Sequence, residues 1–535
     1  MYLGIDLGTT NSVVSYGLEI ASKDFFKLVT PTNSLGEIVT PSVVYFEEGE
    51  KPLVGRYALD NFKTDPSNTV RWVKRHMGSD KKFNLCGKVF SPQSISACIL
   101  KELKYFAEKA SLEESISNVV ITVPADFDTS AKQATIDAAK IAGFTEVHLI
   151  SEPNAAILNY INQTYEKDEL SEYFSDEEKY MLVFDLGGGT FDLSLSTIKI
   201  DSDGKIDTSV VTSSGNKYIG GINFDNDLMV YVLKKAIKIY PKETEQLSLM
   251  LKYNENSEKY QSNEELKNCM AQLIRDCEAC KEYLSQNNKR TVTFFSHERR
   301  AFKVEISRKE FELLLKPYMG KIQENINEVL TQATSNNNTF KGWSDLLGVL
   351  LVGGSTNIPY IKEFCTDTFR LEPIVSHDVY ISVSRGAAIY SSILSGVNSL
   401  VQNYETVVPH DFYLKNDNNY YEIFRKGSNI KQRNINYEIP FSLDTKAPID
   451  IVQKYYNQEG KEIDVLLQTI NYSHPFMFTG DTLEMDFKIN EDLIISVATR
   501  EDCIDDSVEI AFENKMKLSE EMLELEKNKL MAIGV

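Results

Sequence analysis

Leu3-Gly4-Ile5-Asp6-Leu7-Gly8-Thr9-Thr10 opens the chain, and Leu182-Val183-Phe184-Asp185-Leu186-Gly187-Gly188-Gly189-Thr190 writes the same pattern again near its middle. Each stretch is an apolar strand that ends in Asp and turns on Gly and Thr. A third turn, Leu350-Leu351-Val352-Gly353-Gly354-Ser355-Thr356, has the glycines without the Asp. Apolar residues bury a strand and hold its last residue rigidly at the sheet edge. Glycine lets the backbone turn sharply, which brings N–H groups close to phosphate oxygens. Threonine hydroxyls add donors, and an Asp at the strand end supplies a hard oxygen for Mg²⁺, usually through water. One such turn on its own is most often only a tight turn. Two copies at the start of separate halves, each with its carboxylate, point to a cleft for a nucleoside triphosphate and its metal.

Composition sets the outer limits. At 535 residues the chain is long enough for roughly three or four compact units, and 42% apolar residues supply a sizeable core. A formal net charge of −21 argues against a general nucleic-acid binder, because phosphate backbones reward Lys and Arg; its plainest consequence is solubility. Seven scattered cysteines make no disulfide framework. Cys277 and Cys280 form a CxxC with no second pair to complete a zinc site, and read as structural thiols on a helix. Asp6 interrupts the opening apolar run, so it does not read as a signal peptide. No run approaches the ~20 apolar residues of a membrane span. A reducing cytoplasm is the expected setting, without membrane or nucleic-acid partners.

Along the chain, Tyr2 to Gly17 reads as two strands, Ser91-Pro92 starts an amphipathic helix, and Val119 to Val123 is a buried strand stopped by Pro124. Ser130 to Ala142 reads as a helix, and Glu152-Pro153 opens the next. A long helical stretch is expected from Pro241 to Leu284. After about Gly396 the character changes. Residues 397–409 are short on periodicity and read as a linker. From about 410 to 513 the pattern is β, with Asn490-Glu491-Asp492 as a hairpin turn. Ser519 is an N-cap signal for one closing helix that stops near Met531.

These residues resemble the Hsp70 chaperones. Gly4 to Ser12, Val123-Pro124-Ala125, Ser151-Glu152-Pro153, Phe184 to Asp192 and Leu351 to Thr356 match motifs of that family's ATPase domain. Residues 410–530 look like a shortened form of its peptide-binding domain, by order and β pattern rather than by strong motif. The resemblance implies an α/β, two-lobed, actin-like ATPase domain built from duplicated ribonuclease-H-like cores over 1–396. An interdomain linker (397–409), a β-rich substrate-binding-like domain (410–513) and a short C-terminal helix, a remnant of the lid (514–535), would follow. It implies Mg²⁺-dependent hydrolysis of ATP to ADP and phosphate, extended apolar polypeptides as clients, and a J-domain co-chaperone and nucleotide exchange factor as partners.

The family's residue roles carry over position by position. Asp6 and Asp185 match the carboxylates around the metal. Gly8, Thr9, Thr10, Gly187, Gly188 and Gly189 would cradle the β- and γ-phosphates, with Thr190 beside the γ-phosphate. Lys74 matches the catalytic lysine, whose ammonium would stabilise charge on the transferring group. Glu152 and Asp192 match carboxylates that orient water and metal, and positioning supplies most of the catalysis of phosphoryl transfer. Glu278, Lys281 and Ser285 match ribose and adenine contacts on one helical face. Gly353, Gly354 and Ser355 match the turn beneath the adenosine, and Pro124 the proline that links nucleotide and substrate domains.

The departures are as informative. Where the family clamps adenine between two arginine stems, this chain has Glu282 and Asn357, and Tyr380 stands where an Asp is usual. A stacked guanidinium contributes about 1 kcal/mol, so without compensation nucleotide binding should weaken by roughly one to two decades. Leu400 to Val408 is more polar than the family's leucine-rich linker. These changes keep open a nucleotide-gated adaptor that binds one fixed protein partner. Another actin-like protein, such as a sugar kinase, would need an acceptor pocket and base, whereas Lys74 and Glu152-Pro153 fit attack by water.

Overall fold

The Asp-ended strand Tyr2–Asp6 lies between a parallel neighbour and its own antiparallel hairpin partner, and the later Asp-ended strand, Lys179–Leu186, does the same. A computed structural model gives this fold, describing all residues other than 20–25, 114, 167–175, 256–261, 338, 377–378, 398–399, 417–418, 430–431, 439–448, 457–461, 471–481, 491–494, 502–503 and 509–517.

Two mixed sheets follow one plan. The first runs Glu146–Ser151, Asn118–Val123, Tyr2–Asp6, Asn11–Glu19, Phe26–Val29, with Thr40–Pro41 also on Asn11–Glu19. The second runs Ile374–Val375, Leu346–Val352, Lys179–Leu186, Phe191–Ile200, Ile206–Asn216. In both, the first three strands are parallel and the next two antiparallel. The Asp strands are buried, as their apolar runs require of strands with both faces covered. The helix Ser382–Leu394 packs on Tyr2–Asp6 and on the helix Glu152–Glu166, and so ties the end of the second half to the first.

Two stretches differ from the reading of the sequence, and a third is not described. The run Pro241–Leu284 divides into the helices Thr244–Glu255 and Glu264–Gln286. The Asn263 side chain accepts the Leu266 N–H, and this cap starts the second helix afresh. Within 397–409, Val401–Glu405 is a strand that adds in parallel to the edge strand Ile206–Asn216, pairing Ile206 with Val401 and Thr208 with Tyr404. An open sheet edge offers unpaired N–H and C=O groups, and this segment takes them up. Of the residues whose burial is described, Val401 lies deep, in one core with Ile206, while Tyr404 is half-buried and Glu405 exposed. Residues 491 and 492 of the expected hairpin turn lie outside the described residues, although Thr482–Ile489 and Ile495–Glu501 pair antiparallel as such a turn requires.

The β-rich part holds two four-stranded sheets around Phe412, Phe424, Met485 and Phe487. The C-terminal helix Glu520–Met531 begins where Ser519 accepts the Met522 N–H. It buries Leu523 and Leu530 in the core of the first half, and the Leu518 N–H donates to Asp137 Oδ2 just before it. Among the described residues no helix is long and apolar enough to cross a membrane.

Candidate active site

The two Asp turns meet tip to tip. A Cβ on Gly188 would fall 2.5 Å from the Thr10 side chain, and one on Gly189 would fall 2.6 Å from Thr9, so only glycine allows the halves to approach this closely. The third turn locks onto the second. Gly353 has φ of +83°, a Cβ there would lie 2.5 Å from Asp185 Oδ1, and Ser355 Oγ donates to Gly187 O at 2.8 Å. Ser42 Oγ supports the first turn from below, donating to Gly8 O at 2.7 Å.

Between the turns opens a cavity of about 830 Å³. Asp6, Gly8, Thr9, Thr10, Lys74, Glu152, Asp185, Gly187, Gly188, Thr190, Glu278, Lys281, Ser285, Gly353, Gly354 and Ser355 all line it. Gly189 stands behind, against Thr9. Asp192 is fully buried behind the wall. Lys74 is held at the start of the short turn Val73–His76 and forms a buried ion pair with Glu152, the first residue of its helix. The Thr122 hydroxyl donates to Asp6 Oδ1 at 3.1 Å.

The electrostatics ask for a cation. Asp6, Asp185, Asp192 and Glu152 set four carboxylates around the Lys74 ammonium. Burial, then repulsion from Glu152, pushes Asp6 up to about 7. The same two causes, in the same order, push Asp185 and Asp192 well above the usual carboxylate range. Asp192 Oδ2 is buried without a hydrogen-bond partner. Among the described residues no three His, Cys, Asp or Glu side chains converge as direct metal ligands. Asp6 and Asp185 both line the cavity at the ends of their strands, and a divalent cation held between them would complete its shell with water and phosphate oxygens. Glycine turns on the same cavity offer the N–H groups an anion needs. These residues fit a metal–triphosphate.

The structure also brings in residues that sequence reasoning missed. Glu278 is gripped by two guanidiniums, Arg71 Nη2 and Arg275 Nη1, each at 2.5 Å. Arg71 in turn lies 4.6 Å from the Phe62 ring centre and 4.5 Å from that of Trp72. Lys281 is paired with buried Asp225 at 2.7 Å and reaches Gly221 O at 3.3 Å. No motif marked Arg71, Arg275 or Asp225; the Gly220-Gly221 start of the helix Gly221–Ile239 was the one signal near Asp225.

Behind the cavity a path runs out to the β-rich part. The Asp126 N–H donates to Asp192 Oδ1 at 3.2 Å, and Tyr455 of the β-rich part donates its hydroxyl to Asp126 Oδ2 at 2.7 Å. Burial pushes Asp126 up to about 6. Beside it Gln453 Oε1 accepts from both Thr129 N–H and Thr129 Oγ1 at 3.2 Å. His410 Nε2 donates to Phe127 O at 3.1 Å, and burial holds that imidazole neutral.

A family model described as Hsp70 protein matches residues 2–84 and 80–531. The chain belongs to the Hsp70 protein family. The chaperone protein DnaK of Mycoplasmopsis synoviae (strain 53) is 34% identical over 401 residues, which is 74% of this Hsp70 chain and 59% of that relative. This Hsp70 member therefore spans about three fifths of the length of the curated relative it matches.

Proposed function

We propose that this Hsp70 family member is a Mg²⁺-dependent ATPase whose nucleotide state controls how its β-rich domain holds extended apolar polypeptide segments. The repeated strand order of the two halves supports the actin-like reading of 1–396, with the linker, β-rich domain and C-terminal helix in the limits given above. Mg²⁺ held through water by Asp6 and Asp185 would draw charge from the β- and γ-phosphates. The chain does the rest. Gly8, Thr9, Thr10, Gly187, Gly188 and Gly189 present donors to the phosphates, and Thr190 adds its hydroxyl. The Lys74 ammonium faces the charge that develops on the transferring group, and its pairing with Glu152 fixes both side chains for an attacking water. Asp192 sits one layer back and holds that arrangement from behind. Glu278, Lys281, Ser285, Gly353, Gly354 and Ser355 shape the nucleoside end.

The observation that carries the coupled reading is Asp126. Its N–H holds Asp192 on the cleft side and its carboxylate holds Tyr455 on the β side. A change at either end is felt at the other through one residue. Clients would be unfolded or extended polypeptides, a J-domain protein and an exchange factor would time the cycle, and the setting would be cytoplasmic.

The test is ATP turnover with and without a generic apolar heptapeptide, for the wild type and Tyr455→Phe. Peptide should stimulate the wild type. Tyr455→Phe leaves a buried carboxylate short of a donor, at about 1–3 kcal/mol, and should shrink the stimulation severalfold. No turnover at all would sink the ATPase reading. Turnover that ignores peptide would sink the coupling and leave the fixed-partner adaptor.

A further inference from the structure

The two positions that carry the clamping arginines in the family are Glu282 and Asn357 here, yet the nucleoside end of the cavity is not bare. Two aromatic rings line the cavity, Trp72 and Tyr380. Trp72 has the Arg71 guanidinium 4.5 Å over its ring and packs against the core of the second half, so its surface is already used. Tyr380 is different. It stands in the turn before the helix Ser382–Leu394 with 52% of its surface open.

The third turn supports it. A Cβ on Gly354 would come within 3.4 Å of Tyr380 Cε1, so the ring rests on that glycine of the third turn. Asn357, from the same third turn, donates its Nδ2 to Gly354 O at 3.1 Å and so braces the glycine on which the ring rests. Burial, then the nearby Glu282 carboxylate, pushes the hydroxyl pKa up and keeps it protonated. Glu282 and Asn357, the two residues that replace the arginines, line the same cavity as Tyr380. The ring is held before any ligand arrives, which lowers the ordering cost of binding.

We propose that Tyr380 is the stacking platform for the nucleobase. The inference rests on the nucleotide reading of this cleft. A flat aromatic face packs against any base, and such stacking typically contributes enough for tenfold or more in affinity. It supplies from one aromatic side chain what two cationic stems would otherwise provide.

Calorimetry with Mg-ATP and with Mg-tripolyphosphate on the wild type, Tyr380→Ser and Tyr380→Phe tests it. Tyr380→Ser should weaken ATP about tenfold or more and leave tripolyphosphate unchanged, since only ATP carries a base. Tyr380→Phe keeps the ring and should stay within about threefold of the wild type for both ligands. Equal ATP affinity in the wild type and Tyr380→Ser would overturn the proposal. Equal losses of ATP and tripolyphosphate would also overturn it, by showing that Tyr380 merely supports the glycine turn. A wild type that binds tripolyphosphate and ATP alike would place the base outside the site. A wild type that binds neither would bring down the reading of the cleft itself, and this inference with it.

Discussion

The hairpin of Asp6 and the hairpin of Asp185 share a backbone and differ in what faces the carboxylate. Both run from an apolar strand through a glycine turn into an antiparallel partner. Across the ladder, Asp6 is opposite Val13, whereas Asp185 is opposite Asp192. Val13 is buried as an apolar residue, while Asp192 is a second buried acid that accepts the Asp126 N–H. The first half balances its simpler hairpin with Lys74 and Glu152, which arrive from elsewhere in the same half. Repetition of the chain therefore copied a cradle and left the charges unequal. In the function proposed above, the symmetric part would cradle the phosphate chain and its cation. The asymmetric part differs in charge: one side supplies the Lys74 ammonium and the other Asp192, which is linked through Asp126 to Tyr455 of the β-rich part.

That contrast can be broken experimentally. The largest effect should come from Lys74→Ala, which removes the ammonium among the four carboxylates. Single-turnover hydrolysis should fall roughly a hundredfold or more, as for loss of one charge-stabilising donor, while ATP binding by calorimetry persists. Wild-type turnover in this variant would remove Lys74 from the chemistry. Next, Asp192→Asn keeps the shape and the acceptor for the Asp126 N–H but deletes one acid from a crowded set. Hydrolysis should drop by about ten- to a hundredfold, as expected when positioning is disturbed. The melting temperature should hold or rise, because a buried like-charge repulsion is relieved. The smallest change in turnover should follow Val13→Ala, the matching position in the other hairpin. A rate within about twofold is expected, despite a stability loss of about 2 kcal/mol from the cavity it leaves. If Val13→Ala slowed hydrolysis as much as Asp192→Asn, the two hairpins would be functionally equivalent and the asymmetry idle.

The β-rich domain teaches the same point at larger scale. It enters from the second half, where Val401–Glu405 extends that sheet, and its chain leaves onto the first half, where Leu523 and Leu530 are buried. Tyr455, Gln453 and His410 contact the segment between Pro124 and the helix Thr129–Ile141. The β-rich part is thus fastened to both halves.

The sequence alone determined the parts whose physics is local. An apolar run must be buried, glycine must turn, Asp at a strand end must face the cleft, and Ser519 must cap the helix behind it; all of these depend on neighbours a few residues away. Lys74 was legible only through its resemblance to a family, since a lysine in a basic cluster carries no local mark. Tertiary structure decided the remainder. Glu278 between Arg71 and Arg275, Lys281 on Asp225, Tyr380 on the third turn and Asp126 between Asp192 and Tyr455 join residues from separate elements. Whether a polar linker becomes a strand depends on an open sheet edge supplied by Ile206–Asn216. Such partners are chosen by packing in three dimensions, and a linear pattern of letters holds no term for the distance between them.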